Sequence, residues 1–200
     1  MGRKAHFKHT DFIEAAIGII AEKGLNALTI SALSKRTKSP VGSVYHRFLS
    51  RDELLGELWL AIVEPFQKEY LKRIKVDGLE AALYGLKWAR EHPNEARVLL
   101  LHRREDFTSG KWPIELRERA RILTQELNKT MRLFIQEQFG RITRETIDRT
   151  RYVLDDAPGG IIRRYLDEGK IPPDSIDKII RETYVAIMGK AGVQTTGRHK

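Results

Sequence analysis

The sequence predicts an all-α chain of about nine helices. Three observations carry this reading. Apolar residues recur at helical spacing along almost all of the 200 residues, and no run alternates as a half-buried strand would. Helix start and stop residues fall between the periodic stretches. The hydrophobic share of 41% is enough to give such helices a core to bury.

Phe12, Ile13, Ala16, Ile19 and Ile20 make one stripe of a first helix. Thr10 or Asp11 caps it, Asp11 and Glu14 have capping-box spacing, and Gly24 stops it. Thr29 caps a short second helix ending near Arg36 or Thr37, with Leu28 and Leu33 spaced as a hydrophobic staple. Ser39 caps the third, with Pro40 at its first position and Val44 and Phe48 one turn apart on its inner face. Ser50 caps a long fourth helix striped by Leu54, Leu55, Leu58, Trp59, Ile62, Val63 and Phe66, in which Pro65 should make a kink rather than a stop.

Past Asp77 and Gly78 come helices over 79–91 and 95–107, divided by His92 and Pro93; the second carries the apolar run Val98–Leu101. A loop at Thr108–Gly110 leads to a long amphipathic helix over 113–139 and another over 143–154. Asp155–Gly160 reads as a break, with helix resuming over 161–166. Gly169–Pro173 turns the chain into a last helix over 175–188, and the ends, Met1–His6 and Gly192–Lys200, read as frayed.

Composition narrows the function classes. Without cysteine there is no disulfide framework and no thiolate metal site. Arg3, Lys4, His6, Lys8 and His9 interrupt any secretory leader, and no apolar run nears the roughly 20 residues that span a bilayer. A cytoplasmic protein without a membrane partner is expected. His6 and His9 have ligand-like spacing but stand in a loose tail, so no metal is expected. His102, Arg103, Arg104, Glu105 and Asp106 could do acid-base work, yet the outer face of an amphipathic helix accounts for them. There is no Gly-rich phosphate loop, nucleophile elbow or HExxH, so neither catalytic residues nor a cofactor are expected.

The charge is unevenly spread. Residues 1–51 hold nine Lys/Arg against three acids, giving this quarter +6 of the chain's +9. Such a compact basic segment is the footprint of a polyanion binder, although a solvated basic face has the same composition. Within it, Thr29–Leu55 reads as two short helices joined by a tight turn, the second opening on small residues. A major groove about 12 Å wide admits a helix whose leading face is not bulky, which Gly42 and Ser43 provide. Glycine inside a helix costs about 1 kcal/mol against alanine, so Gly42 needs a reason such as close backbone approach. Tyr45, His46, Arg47 and Arg51 surround that face with phosphate ligands, and Thr29 and Ser31 stand where free N–H groups attract phosphate. On spacing and charge alone, an ordinary helical hairpin with Tyr45 in its core also fits.

The order helix, turn, short helix, GSVYHRF and SRDELL resembles the DNA-binding domain of TetR-family regulators. The residues that carry the resemblance are Gly42, Ser43, Val44, Tyr45, Phe48, Ser50 and Arg51, with Gly24, Thr29 and Leu33 at the first helix stop, the second helix cap and a core contact. One departure is Lys38, where the family's turn usually holds glycine; a left-handed lysine costs on the order of 1–2 kcal/mol unless the turn differs.

The resemblance implies an N-terminal three-helix helix-turn-helix domain, residues 1–50, and a C-terminal helical ligand-binding and dimerisation domain, residues 51–200. It implies that Val41, Gly42 and Ser43 face bases, that Thr29, Ser31, Tyr45, His46 and Arg51 hold the DNA backbone with Lys38 and Arg47, and that Arg3 and Lys4 form an arm along the adjacent groove. Implied partners are double-stranded DNA with a palindromic operator, a second copy of the chain docked through 143–166 and 175–188, and a small-molecule effector the sequence does not name. Large side chains with a polar tip are the pocket candidates: Trp59, Trp88, His102, Trp112 and Tyr152, with Arg103 and Asp106 as polar anchors. For each of these, plain core packing is the alternative. The expected function is a ligand-responsive repressor released from its operator by the effector; a helix-turn-helix activator or a ligand-independent regulator is the alternative.

Overall fold

A computed structural model describes residues 7–189. The expected arm at Arg3 and Lys4, His6, and the ends Met1–His6 and Gly192–Lys200 lie outside the described residues. These residues form α1 His9–Lys23, α2 Ile30–Thr37, α3 Val41–Tyr45, α4 Arg51–Ile74, α5 Gly78–Glu91, α6 Pro93–Leu101, α7 Glu105–Thr108, α8 Ile114–Phe139, α9 Arg144–Arg151, α10 Ala157–Asp167 and α11 Ser175–Met188, with no strand among them. The all-α expectation therefore holds.

Two compact units result. One comprises the chain up to Pro65 with His92–Ile122, the other Phe66–Glu91 with the chain from Leu123 onward. In the first, α1 packs against α2 and α6. Its core includes Phe12, Ile20, Leu28, Leu33, Val44, Phe48, Leu54 and Leu58, each at most 2% exposed. Phe12 meets Phe48 edge to face at 6.3 Å, which packs the segment just after α3 against α1. Arg119 on α8 donates to Glu64 at 2.9 Å and to Glu57 at 3.1 Å, joining α8 to α4; these charged partners hold its guanidinium more firmly protonated than usual.

In the second unit, Leu86, Ala89, Phe134, Val153, Leu154, Ile162 and Ile180 are buried. Arg90 on α5 clamps the start of α11, donating to the carbonyls of Pro172 and Pro173 and to the Asp177 carboxylate.

Four local expectations need correction. Helix α1 is capped by Lys8 rather than Thr10 or Asp11, and Asp11 accepts the Lys8 N–H at 2.8 Å instead of pairing with Glu14. Pro40 rather than Ser39 precedes α3, because the Ser39 hydroxyl turns inward to Thr37. The helix expected over 95–107 is two: His102 is extended, and Asp106 accepts the Arg103 N–H at 2.9 Å to start α7. The break expected at Asp155–Gly160 is a continuous passage from α9 into α10 through a π turn at Tyr152–Asp156. Pro158 has no N–H to give the Leu154 carbonyl one helical turn back, and the Tyr70 hydroxyl donates to that carbonyl at 3.0 Å. Helix α4 runs through Pro65 without stopping.

Candidate nucleic-acid interface

The turn between α2 and α3 is built from its own hydroxyls. Thr29 accepts the Ala32 N–H at 3.0 Å and so opens α2. At the other end, Ser34 donates to the Ser39 carbonyl at 2.6 Å, Thr37 donates to the Leu33 carbonyl at 2.9 Å, and the Thr37 and Ser39 hydroxyls meet at 2.8 Å. Between them Lys38 adopts the left-handed conformation, φ 54° and ψ 31°, the strained alternative that the missing turn glycine raised. Residue spacing had not singled out this hydroxyl network; Ser34, Thr37 and Ser39, clustered in a turn, are its signal.

Helix α2 is braced on α1 by Arg36, which donates to both Glu22 oxygens at 2.8 and 2.6 Å. The Arg36 guanidinium beside Glu22 holds that carboxyl below its ordinary range. Gly18 gives the guanidinium its seat, since a Cβ there would lie 2.5 Å from Nη2.

With Leu33, Val44 and Phe48 buried beneath it, α3 presents its other face outward. Val41 is 47% exposed, Tyr45 56%, and a Cβ placed on Gly42 would meet nothing within 4 Å. Tyr45 is thus on the surface rather than in a hairpin core. Pro40 stands exposed at the head of the same helix, Ser43 is half-buried, and His46, Arg47, Thr29, Ser31, Lys38 and Arg51 are exposed. Two of the cations are steadied from behind: Arg47 donates to the Phe7 carbonyl at 3.2 Å and Arg51 to the Leu25 carbonyl at 3.4 Å. Ser50 accepts the Glu53 N–H at 3.0 Å, and Glu53 accepts the Leu49 N–H, so the start of α4 is capped beside Arg51. The helix α3 thus carries an exposed small-residue face over a buried apolar base, and the candidate hydroxyls and cations of α2, the turn and the start of α4 are exposed.

The seven pocket candidates are differently placed. Trp59, His102, Arg103, Asp106 and Trp112 belong to the first unit, Trp88 and Tyr152 to the second. Trp59 and Trp112 are buried with ring centroids 6.1 Å apart, and the Trp112 Nε1–H is taken by the Phe107 carbonyl at 2.9 Å. His102 stands edge to face against Phe107, and burial lowers its pKa against the opposing pull of Asp106. Arg103 and Asp106 are exposed and bonded to each other through the α7 cap. Trp88 is buried against Phe66 at 4.8 Å. Tyr152 is 47% exposed and lines an open cleft of about 560 Å³ with Asp148, Arg149, Arg151, Asp156 and Ile187.

Comparison with known proteins adds a likeness over the N-terminal segment and a shared fold. Residues 12–58 match the pattern of bacterial regulatory proteins of the tetR family. A probable acrEF/envCD operon repressor of Escherichia coli K12 is 23% identical over 188 residues, covering 86% of this chain and 84% of the relative. The fatty acid degradation regulator FadR of Bacillus halodurans shares the fold with a TM-score of 0.65 at 15% identity, over 94% of this chain and all 100% of the other. FadR of Bacillus subtilis, solved with stearoyl-CoA, does so with a TM-score of 0.61 at 16% identity, over 96% and 100%. No helix among the described residues is long and apolar enough to cross a membrane.

Proposed function

We propose that this chain, whose residues 12–58 match the tetR family of bacterial regulatory proteins, is a homodimeric repressor released from a palindromic operator by a small-molecule effector. The observation that carries this reading is the outward face of α3, with Val41, Gly42 and Tyr45 open above buried Leu33, Val44 and Phe48. Val41, Gly42 and Ser43 read base edges; Thr29, Ser31, Lys38, Tyr45, His46, Arg47 and Arg51 hold phosphates. The second copy docks on α9 to α11, where Ile147, Ile179 and Val185 stand exposed in a single chain. The chain has no catalytic role in this reading and works in the cytoplasm, where its DNA is.

Release follows from α4. Its 24 residues span about 36 Å and contribute to both units, so an effector that shifts α4 changes the spacing of two recognition helices, which must sit about 34–36 Å apart or at a multiple of that. The effector acts only by its differential affinity for the two spacings. Stearoyl-CoA, held by the Bacillus subtilis protein of similar fold, is the first compound to test.

The test uses Ser43→Ala, Arg51→Ala and the unaltered protein on a selected operator and a scrambled duplex at several salt concentrations. Ser43→Ala should cost about 1–3 kcal/mol on the operator and little on the scrambled duplex, whereas Arg51→Ala should weaken both alike and flatten the salt dependence by about one unit. A uniform loss from Ser43→Ala would remove it from base reading. An effector that binds tightly and leaves operator affinity unchanged would refute the release mechanism.

A further inference from the structure

The segment Phe107–Trp112 lies outside residues 12–58 yet is fastened to the first turn of α4. The Asp52 carboxylate accepts the Lys111 N–H at 2.8 Å. Gly110 allows the approach, since a Cβ there would stand 2.5 Å from the Asp52 Cγ. On the far side, the Trp112 N–H donates to the Gly110 carbonyl at 3.0 Å and the Trp112 ring is buried, so the loop is anchored at both ends. A Cβ on Gly56, one turn along α4 from Asp52, would stand 2.7 Å from that ring. Lys111 itself is exposed, and among the described residues its ammonium forms no ion pair. Arg51, a proposed phosphate holder, is the residue before Asp52.

We propose that Lys111 is a further DNA-phosphate contact, contributed by the α7–α8 loop, which extends the footprint of each protomer beyond the helix-turn-helix. The proposal rests on the DNA-binding reading. A lysine held at its backbone beside the first turn of α4 carries its ammonium about 6 Å out on a flexible stem, and that stem is the reach by which it would meet a phosphate near the start of α4. The Asp52 carboxylate accepts the Lys111 backbone N–H and forms no ion pair with its ammonium, which stays available to a phosphate. A contact of this kind carries no sequence information, so it acts equally on any duplex.

That last property makes the operator unnecessary for the test. The full chain, Lys111→Ala, Lys111→Arg and Lys129→Ala are titrated against a fluorescein-labelled random-sequence duplex of about 30 base pairs. Lys129 is an exposed lysine on α8 in the second unit and controls for net charge. Lys111→Ala should lower the slope of log K against log salt by about 0.9 per protomer engaged, so that between about 50 and 200 mM salt the unaltered protein loses about 3.5-fold more affinity per protomer than the variant. Lys111→Arg should keep the slope, and so should Lys129→Ala. Unchanged slope in Lys111→Ala, or an equal fall in Lys129→Ala, would overturn the inference. An unaltered protein that does not hold the duplex would sink the DNA-binding reading and this inference with it.

Discussion

Replacing Lys38 with glycine is expected to move stability and DNA binding in opposite directions. Lys38 is the one non-glycine residue with positive φ among those described, at φ 54° and ψ 31°. There an L side chain costs on the order of 1–2 kcal/mol, because Cβ crowds the following carbonyl. Glycine avoids that cost but loses roughly 0.5–1 kcal/mol more backbone entropy on folding. Lys38→Gly should therefore stabilise the protein by about 0.5–1 kcal/mol, which for a chain of this size raises Tm by about 1–4 °C. It also removes an exposed ammonium from the turn at the head of α3, and the salt slope of DNA binding should fall by about 0.9 per protomer. Lys38→Ala separates the two effects, keeping Cβ and losing the charge. Circular-dichroism melting and anisotropy titration on random duplex DNA read both quantities. If glycine is no more stabilising than alanine, the turn is not strained. If both variants keep the full slope, Lys38 touches no phosphate.

Three further outcomes follow from the same structure. Arg90→Lys keeps the charge of the α5–α11 clamp but not its forked donors, and should cost about 1–2 kcal/mol in urea unfolding against about 2–4 for Arg90→Ala; equal losses would refute the role of the fork. Tyr70→Phe withdraws the hydroxyl from the Leu154 carbonyl and should cost about 1–2 kcal/mol, with faster amide exchange across the π turn; unchanged stability and exchange would refute that support. Burial lowers the His102 pKa, so the unfolded chain binds the proton more readily, and stability should fall as pH drops through the ordinary histidine value of about 6.5. His102→Gln should abolish that part of the pH dependence in melting curves, and a slope unchanged by the substitution would place it elsewhere.

What could be read in advance was what is decided within a turn or two of chain. Thr29, Ser50 and Gly24 cap or stop helices through bonds to residues no more than four positions away, and the sequence predicts all three. Val44 and Phe48 face inward because helical spacing alone puts them on one side. The misreadings arise where another group competes. Ser39 prefers Thr37 to an N-cap, and Asp106 prefers the Arg103 N–H to a longer helix. Pro158, Gly159 and Gly160 would break an isolated helix, but Tyr70, 84 positions before Leu154, supplies a donor that no local rule contains. At α3, the pairing of small residues with a buried Val44 and Phe48 was legible. The fastening of Lys111 to Asp52 was not, because the two are 59 positions apart.

If this chain is the proposed repressor, it reads a symmetric DNA site through α3. Selection from a randomised duplex library with the full chain tests it directly. The selection should enrich an inverted repeat whose half-site centres lie about 10 base pairs apart or a multiple of that, and Ser43→Ala should lose that preference. Recovery of no preferred sequence, or of a single unrepeated half-site, would contradict it.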